Sequence, residues 1–303
     1  MKRALLFLLA PALAQAWDSA GHMLVDQIAW EACSPKTRDA VTALVATLDN
    51  RYNDKQPYHF VTAGCWMDDL RSMPKKDYEW SKWHYVDIAK SDDGSLFKLP
   101  EPPHIVWAIG ENLKTLRDAS APLEDRAKAV AQLMHWVGDI HQPMHTTTWQ
   151  DDRGGNGYLI TGITFTDLMP GMVGNLHTYW DKAFRFAVVD GKIAEQWYGP
   201  LTRDRPAKPG GGVIGVEAAR LLARFPKDTL DELKKPADAE AWARESHLLG
   251  CTKAYPPGEH TTDAEVRKLE PDFIAANYEI AGRRVVVAGY RLAALLEELL
   301  GGK

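Results

Sequence analysis

Apolar residues recur at helical spacing over most of the chain. Residues 20–48 carry this pattern, interrupted at Ser34-Pro35, and predict two helices. Thr62–Ser72 and Pro102–Leu116 read as helices, the second opening on two prolines. Leu123–Gly138 is amphipathic, with Ala127, Val130, Leu133, Met134 and Val137 on or near one side. The stretch Asp151–Gly157 is a turn-rich, glycine-rich loop, and the weak alternation of Tyr158–Phe165 predicts a short hairpin. Further helices are expected at Leu176–Phe186, Val216–Phe225, Ala237–Leu249 and Asp272–Leu300. A Pro/Gly-rich surface loop is expected at Pro200–Gly215. No repeat, low-complexity segment or boundary between folded domains is visible. The fold class is therefore all-α, a single mainly helical domain with a minor β-hairpin element.

The first sixteen residues break this picture. Lys2 and Arg3 precede an apolar run from Ala4 to Leu13, then the small-x-small site Ala14-Gln15-Ala16. That is the pattern of a secretory signal peptide, too short for a membrane anchor. Cleavage after Ala16 makes Trp17 the mature N-terminus and residues 17–303 the folded domain. The expected location is secreted or periplasmic. Removing the two leader cations takes the formal charge from −5 to −7. An acidic chain is not an obvious nucleic-acid binder, although bound divalent metal can reverse the sign locally. The three cysteines, Cys33, Cys65 and Cys251, allow one disulfide and one spare thiol, in a pairing the spacing leaves open. There is no Cys-x-x-Cys and no Asn-x-Ser/Thr sequon. Nothing demands an oligomer.

The chemistry concentrates between His135 and Asp181. His135 and Asp139 are four apart, as are His177 and Asp181, so each pair presents an imidazole and a carboxylate from one helix face. Pro143 ends the first of these helices, with His145 just beyond. Elsewhere, His22 follows the mature N-terminus by one helical turn. A free α-amine and carbonyl at Trp17 can chelate through N and O. Asp68 and His84 complete a candidate set of Trp17, His22, Asp68, His84, His135, Asp139, His145, His177 and Asp181. These nine suit three cations with mixed N and O ligands, and zinc is the natural metal for His/Asp sets without thiolates. His59, His104, His141, His247 and His260 are left as structural, His141 being near enough to support the cluster. Asp69 is either a solvated neighbour or a supporting partner.

In order, the chain carries W-x4-H, W-x-D-x2-R, H-[FY]-x-D, H-x3-D-x5-H, a Gly-Gly-Asn loop and N-L-H-x2-W-D. With these motifs it resembles, over nearly the whole length after Trp17, the type I nuclease family. These are the S-one/P-one single-strand-preferring zinc nucleases, which share a fold with the zinc phospholipases C. The resemblance implies a trinuclear zinc cleft. One zinc would take Asp68, His84, His135 and Asp139; a second would take His145, His177 and Asp181. The third would take the Trp17 amine and carbonyl, His22 and a bridging Asp139. It further implies hydrolysis of phosphodiester bonds in single-stranded DNA and RNA to 5′-phosphorylated products, with 3′-nucleotidase activity. In that reaction Asp68 would orient or deprotonate water and Arg71 would meet phosphate. Tyr85 would stack a base and Asp87 would accept its N–H. A zinc phospholipase C is the alternative. It is disfavoured because those enzymes resemble His-x-x-x-Glu where this chain has His177-x-x-x-Asp181, and by Tyr85-x-Asp87. A non-catalytic zinc store is also disfavoured: its ligands would saturate each metal, whereas nine donors over three cations leave positions open.

Overall fold

A computed structural model of the chain describes residues 17–163, 174–190, 192–195, 205–234, 238–258 and 266–302. The sixteen residues read as a signal peptide lie outside this set, as do His260, residues 200–204 of the expected loop and Ala237.

Helix α1 (Ser19–Ala32) starts because Asp18 Oδ1 accepts the N–H groups of Ala20 and Gly21, both at 3.1 Å. It stops before Ser34-Pro35, where Ser34 caps α2 (Pro35–Val45) and Pro35 takes the first helical position. The stretch expected as one helix over 62–72 is a 3-10 turn (Phe60–Cys65), a single α-turn α3 (Trp66–Asp69) and a second 3-10 turn (Leu70–Ser72). Then follow α4 (Ile105–Arg117), capped by His104, and α5 (Leu123–Ile140), which ends three residues before Pro143. Of the hairpin expected at 158–165, residues 164 and 165 lie outside the described set. Among its described residues, Leu159–Thr161 (β1) is a strand. It pairs antiparallel with Gly174–Asn175 (β2) and parallel with Arg267–Lys268 at the far end of the chain. Helix α6 (Leu176–Trp180) is shorter than expected, because the chain turns into a real hairpin, β3 (Phe186–Val189) with β4 (Lys192–Glu195). Helices α7 (Gly212–Arg224) and α8 (Ala239–Leu249) precede β5 (Arg267–Lys268) and the 30-residue α9 (Pro271–Leu300).

One core connects these elements, from Trp17 to Leu296. Helix α1 is buried from Ala20 to Ala29 because α9, α7, α5 and the 60–65 turn all pack on it. The α1–α9 approach is close: a Cβ on Gly289 would lie 2.5 Å from Ile28 Cγ2. Cys33, Cys65 and Cys251 are free, buried thiols, so the expected disulfide is absent. Burial pushes Cys33 up to about 12, which makes it inert. Among the described residues, no helix is long and apolar enough to cross a membrane.

Candidate metal centre

The site lies where α1, α3, α5 and α6 converge. Because α5 is buried on every side near its C-terminus, His135 and Asp139 project into protein, not solvent. Asp139 Oδ1 lies 3.3 Å from His22 Nε2, while its Oδ2 lies 3.1 Å from His135 Nε2 and 3.0 Å from His84 Nδ1. Three groups of ligand atoms result, each within 4.8 Å: His22, His135 and Asp139; Asp68, His84 and His135; His145, His177 and Asp181. An imidazole nitrogen offers one lone pair, whereas a carboxylate has two oxygens. Asp139 is therefore the side chain able to serve two groups at once.

The outward ring nitrogens explain the inward ones. His135 Nδ1 donates to Gly64 O at 2.6 Å, His145 Nδ1 to His84 O at 2.6 Å, and His177 Nδ1 to Gly154 O at 2.7 Å. Each bond fixes a tautomer whose remaining nitrogen carries a lone pair toward the centre. His84 is held the other way round, with Nε2 against Tyr78 Oη at 2.6 Å and Nδ1 inward. Gly154 has φ +63°, and a Cβ there would meet Met144 O at 2.5 Å, so the Gly-Gly loop is built to bring this carbonyl to His177.

The donor set fits divalent cations. Asp139 Oδ1, His22 Nε2 and His145 Nε2 are buried and make no hydrogen bond. Burial of such atoms without a partner is costly; a cation in the His22 group would satisfy the first two, and one in the His145 group the third. Burial lowers His135 to about 4, and lowers His22 with help from the neighbouring His135. Burial also raises Asp139 to about 7, opposed by the nearby His22. Neutral imidazoles beside carboxylates short of positive charge are what a cation site requires. Asp68 is the exception: burial would raise it, but Arg71, then His135 and His22, outweigh this and hold it below the ordinary carboxylate range. Arg71 Nε lies 3.0 Å from Asp68 Oδ1.

Trp17 is fully buried, its indole N–H donating to Gly138 O at 2.8 Å. The N–H of Asp18 donates to Asp181 O at 3.2 Å, which ties the start of the described chain to the third group. Tyr85 is half-buried beside His84, and its carbonyl accepts from Ile105 N–H at 3.1 Å. Asp87 opens to solvent at the residue level, yet its carboxyl is raised to about 6 by burial, then by Asp152 and Asp151.

His141 does not join the ligand groups. Its Nδ1 donates to Val137 O and its Nε2 accepts from Arg291, inside a buried network with Glu245 and Arg284 that anchors the end of α5. His59 and His104 cap local turns. Asp69 is a supporting partner: it accepts from Arg205 at 2.7 and 2.8 Å and from Tyr58 Oη at 2.6 Å. The sequence analysis missed Tyr78, Gly64 and Gln142, whose Nε2 donates to Asp181 Oδ1 at 2.7 Å. Gln142 lies inside the densest motif and was detectable there. Tyr78 and Gly64 reach their histidines only through tertiary folding.

A helical fold that gathers buried His/Asp groups of this kind defines a metal-site protein of the S1/P1 type. The S1/P1 nuclease family model matches residues 17–301, and the chain belongs to that family. It is 23% identical to nuclease P1 of Penicillium citrinum, over 95% of this chain and 99% of that protein. It is likewise 23% identical to nuclease PA3 of a Penicillium species, with the same coverage. Endonuclease 3 of Arabidopsis thaliana is 24% identical over 96% of this chain and 91% of its own length.

Proposed function

We propose that residues 17–303 form one extracytoplasmic, zinc-dependent endonuclease domain, released by cleavage after Ala16. Its substrates are single-stranded DNA and RNA, cut to 5′-phosphorylated products, and it also acts on 3′-nucleotides. The observation that carries this reading is the gathering of three His/Asp ligand groups, with the two oxygens of Asp139 turned to His22 and to His84 and His135, in a chain matched by the nuclease family from 17 to 301.

Three zinc ions would be held by Asp68, His84, His135 and Asp139; by His145, His177 and Asp181; and by the Trp17 amine and carbonyl with His22 and Asp139. Bound zinc supplies Lewis-acid polarisation of phosphate and activation of water near neutral pH. The chain's own residues do the rest. Asp68, kept ionised by Arg71, accepts a proton from the attacking water and orients it. The Arg71 guanidinium stabilises charge that develops on the phosphate. Tyr85 stacks an unpaired base and Asp87 accepts its N–H. Stacking needs a base that has left the duplex, which is the physical reason for single-strand preference.

The test is release of acid-soluble nucleotide from single-stranded DNA by zinc-loaded protein beginning at Trp17. Release that stops with chelator, returns with zinc and yields 5′-phosphate ends is expected. Zinc-loaded protein that leaves single-stranded DNA intact but cleaves phospholipid would overturn the reading.

A further inference from the structure

Next to His84 lies a depression of about 310 Å³, lined by Glu79, Trp83, Pro102, Pro103 and Trp107, none of which the reaction above uses. Trp83 and Trp107 meet edge to face, with ring centroids 4.9 Å apart and planes at 89°. Both are only partly buried, so ring surface remains available to a planar ligand. The slot shares its frame with the Tyr85 side of the site. Trp83 and Tyr85 are the two neighbours of His84, and the start of α4 is pinned to the Tyr85 carbonyl two residues before Trp107.

Two kinds of occupant suit tryptophan faces beside a carboxylate: an unstacked base and an organic cation in an aromatic cage. The surrounding charge decides between them. Lys75, Lys76 and Lys82 are exposed on the segment that supplies Glu79 and Trp83, against Asp77 and Glu79. This local excess of cations stands out in a chain whose formal charge is −5. It repels an organic cation and attracts a phosphate backbone. We propose that the slot is a second stacking site, which takes a nucleobase of a single strand whose other nucleotide occupies the Tyr85–Asp87 side. The inference rests on the proposed function for that second nucleotide. Glu79 accepts an exocyclic amino hydrogen, so the slot prefers adenine or cytosine to thymine, and the three lysines follow the intervening phosphates.

The experiment is equilibrium binding, by fluorescence anisotropy, of phosphorothioate-linked hexadeoxyadenylate and of the hydrolysis-resistant mononucleotide adenosine 3′-phosphorothioate to the metal-loaded enzyme. Stacking on one aromatic is worth about 1–3 kcal/mol. Trp107→Ala is therefore expected to lower the ratio of hexanucleotide to mononucleotide affinity about tenfold, and Trp107→Phe to keep most of it. Glu79→Gln, at an exposed position, is expected to erase the preference for hexadeoxyadenylate over hexathymidylate. It does so without depending on how the tryptophan variants fold. An unchanged ratio in Trp107→Ala, an unchanged base preference in Glu79→Gln, or displacement by choline but not by hexanucleotide each overturns the proposal. Hydrolysis is read separately. An enzyme that binds the hexanucleotide through Trp107 yet cleaves no strand ends the nuclease reading and leaves the slot standing; one that cleaves with the ratio unaltered does the reverse.

Discussion

Tyr78 Oη lies 2.6 Å from Nε2 of His84, the ring nitrogen facing away from the ligand groups. His84 is the one metal-facing histidine oriented by a side chain instead of a carbonyl; His135, His145 and His177 all use backbone oxygens. A side chain can be removed where a carbonyl cannot. Tyr78→Phe preserves the ring and deletes the hydrogen bond. Loss of such an outer partner costs about 10- to 100-fold in metal affinity or activity. Zinc competition with a chromophoric chelator should show one weakened site and two unchanged ones, and a wild-type isotherm would refute the role.

Asp139 faces His22 with one oxygen and His84 and His135 with the other, whereas Asp181 serves only the group with His145 and His177. Asp139→Asn is nearly isosteric but lacks the second anionic oxygen. It should deplete metal from two groups, and Asp181→Asn from one. Metal content per chain after gel filtration, read by plasma mass spectrometry, distinguishes these. Equal losses from the two variants would show that Asp139 does not bridge.

Arg205 makes a bidentate ion pair with Asp69, the residue after Asp68, and also donates to Asn53 Oδ1 at 2.8 Å. Both partners of the pair are largely buried, at 12% and 14% side-chain exposure. Breaking one side leaves an uncompensated carboxylate, at a cost of about 3 kcal/mol. Arg205→Ala should lower the urea midpoint accordingly with little change in slope. A midpoint within error of wild type would mean that solvent rescues Asp69.

Burial first, and then Asp152 and Asp151, push the Asp87 carboxyl up from 3.8 to about 6. Only the carboxylate accepts a base N–H well, so affinity for a 3′-nucleotide should fall as pH drops through about 6. The stability sign is opposite. Between 3.8 and about 6 the folded chain holds this proton more tightly than the unfolded chain does, so the residue's contribution to stability falls as pH rises across that window. Comparing KM against pH for wild type and Asp87→Asn isolates the group. An inflection near 6 that survives in the variant would assign it elsewhere.

The ligand-bearing helix was legible because its cause is local. His135 and Asp139 stand one turn apart on a helix whose apolar face is written in the same eighteen residues, Leu123–Ile140. The helical class, the break at Ser34-Pro35 and the ends of α9 follow from periodicity, caps and proline in the same way. What failed was non-local. The strand at Leu159–Thr161 finds its neighbours at 174–175 and 267–268, and no short-range pattern encodes a partner more than a hundred residues away. The three buried thiols are free of one another, and a count of cysteines carries no distance. The sequence alone determined which side chains could bind metal. Only the tertiary structure decided that Asp139 turns its two oxygens to different histidines, that Gly64, Gly154 and Tyr78 set the ring tautomers, and that Arg205 braces Asp69. Those facts depend on which backbone reaches which side chain, and only the packed chain sets that.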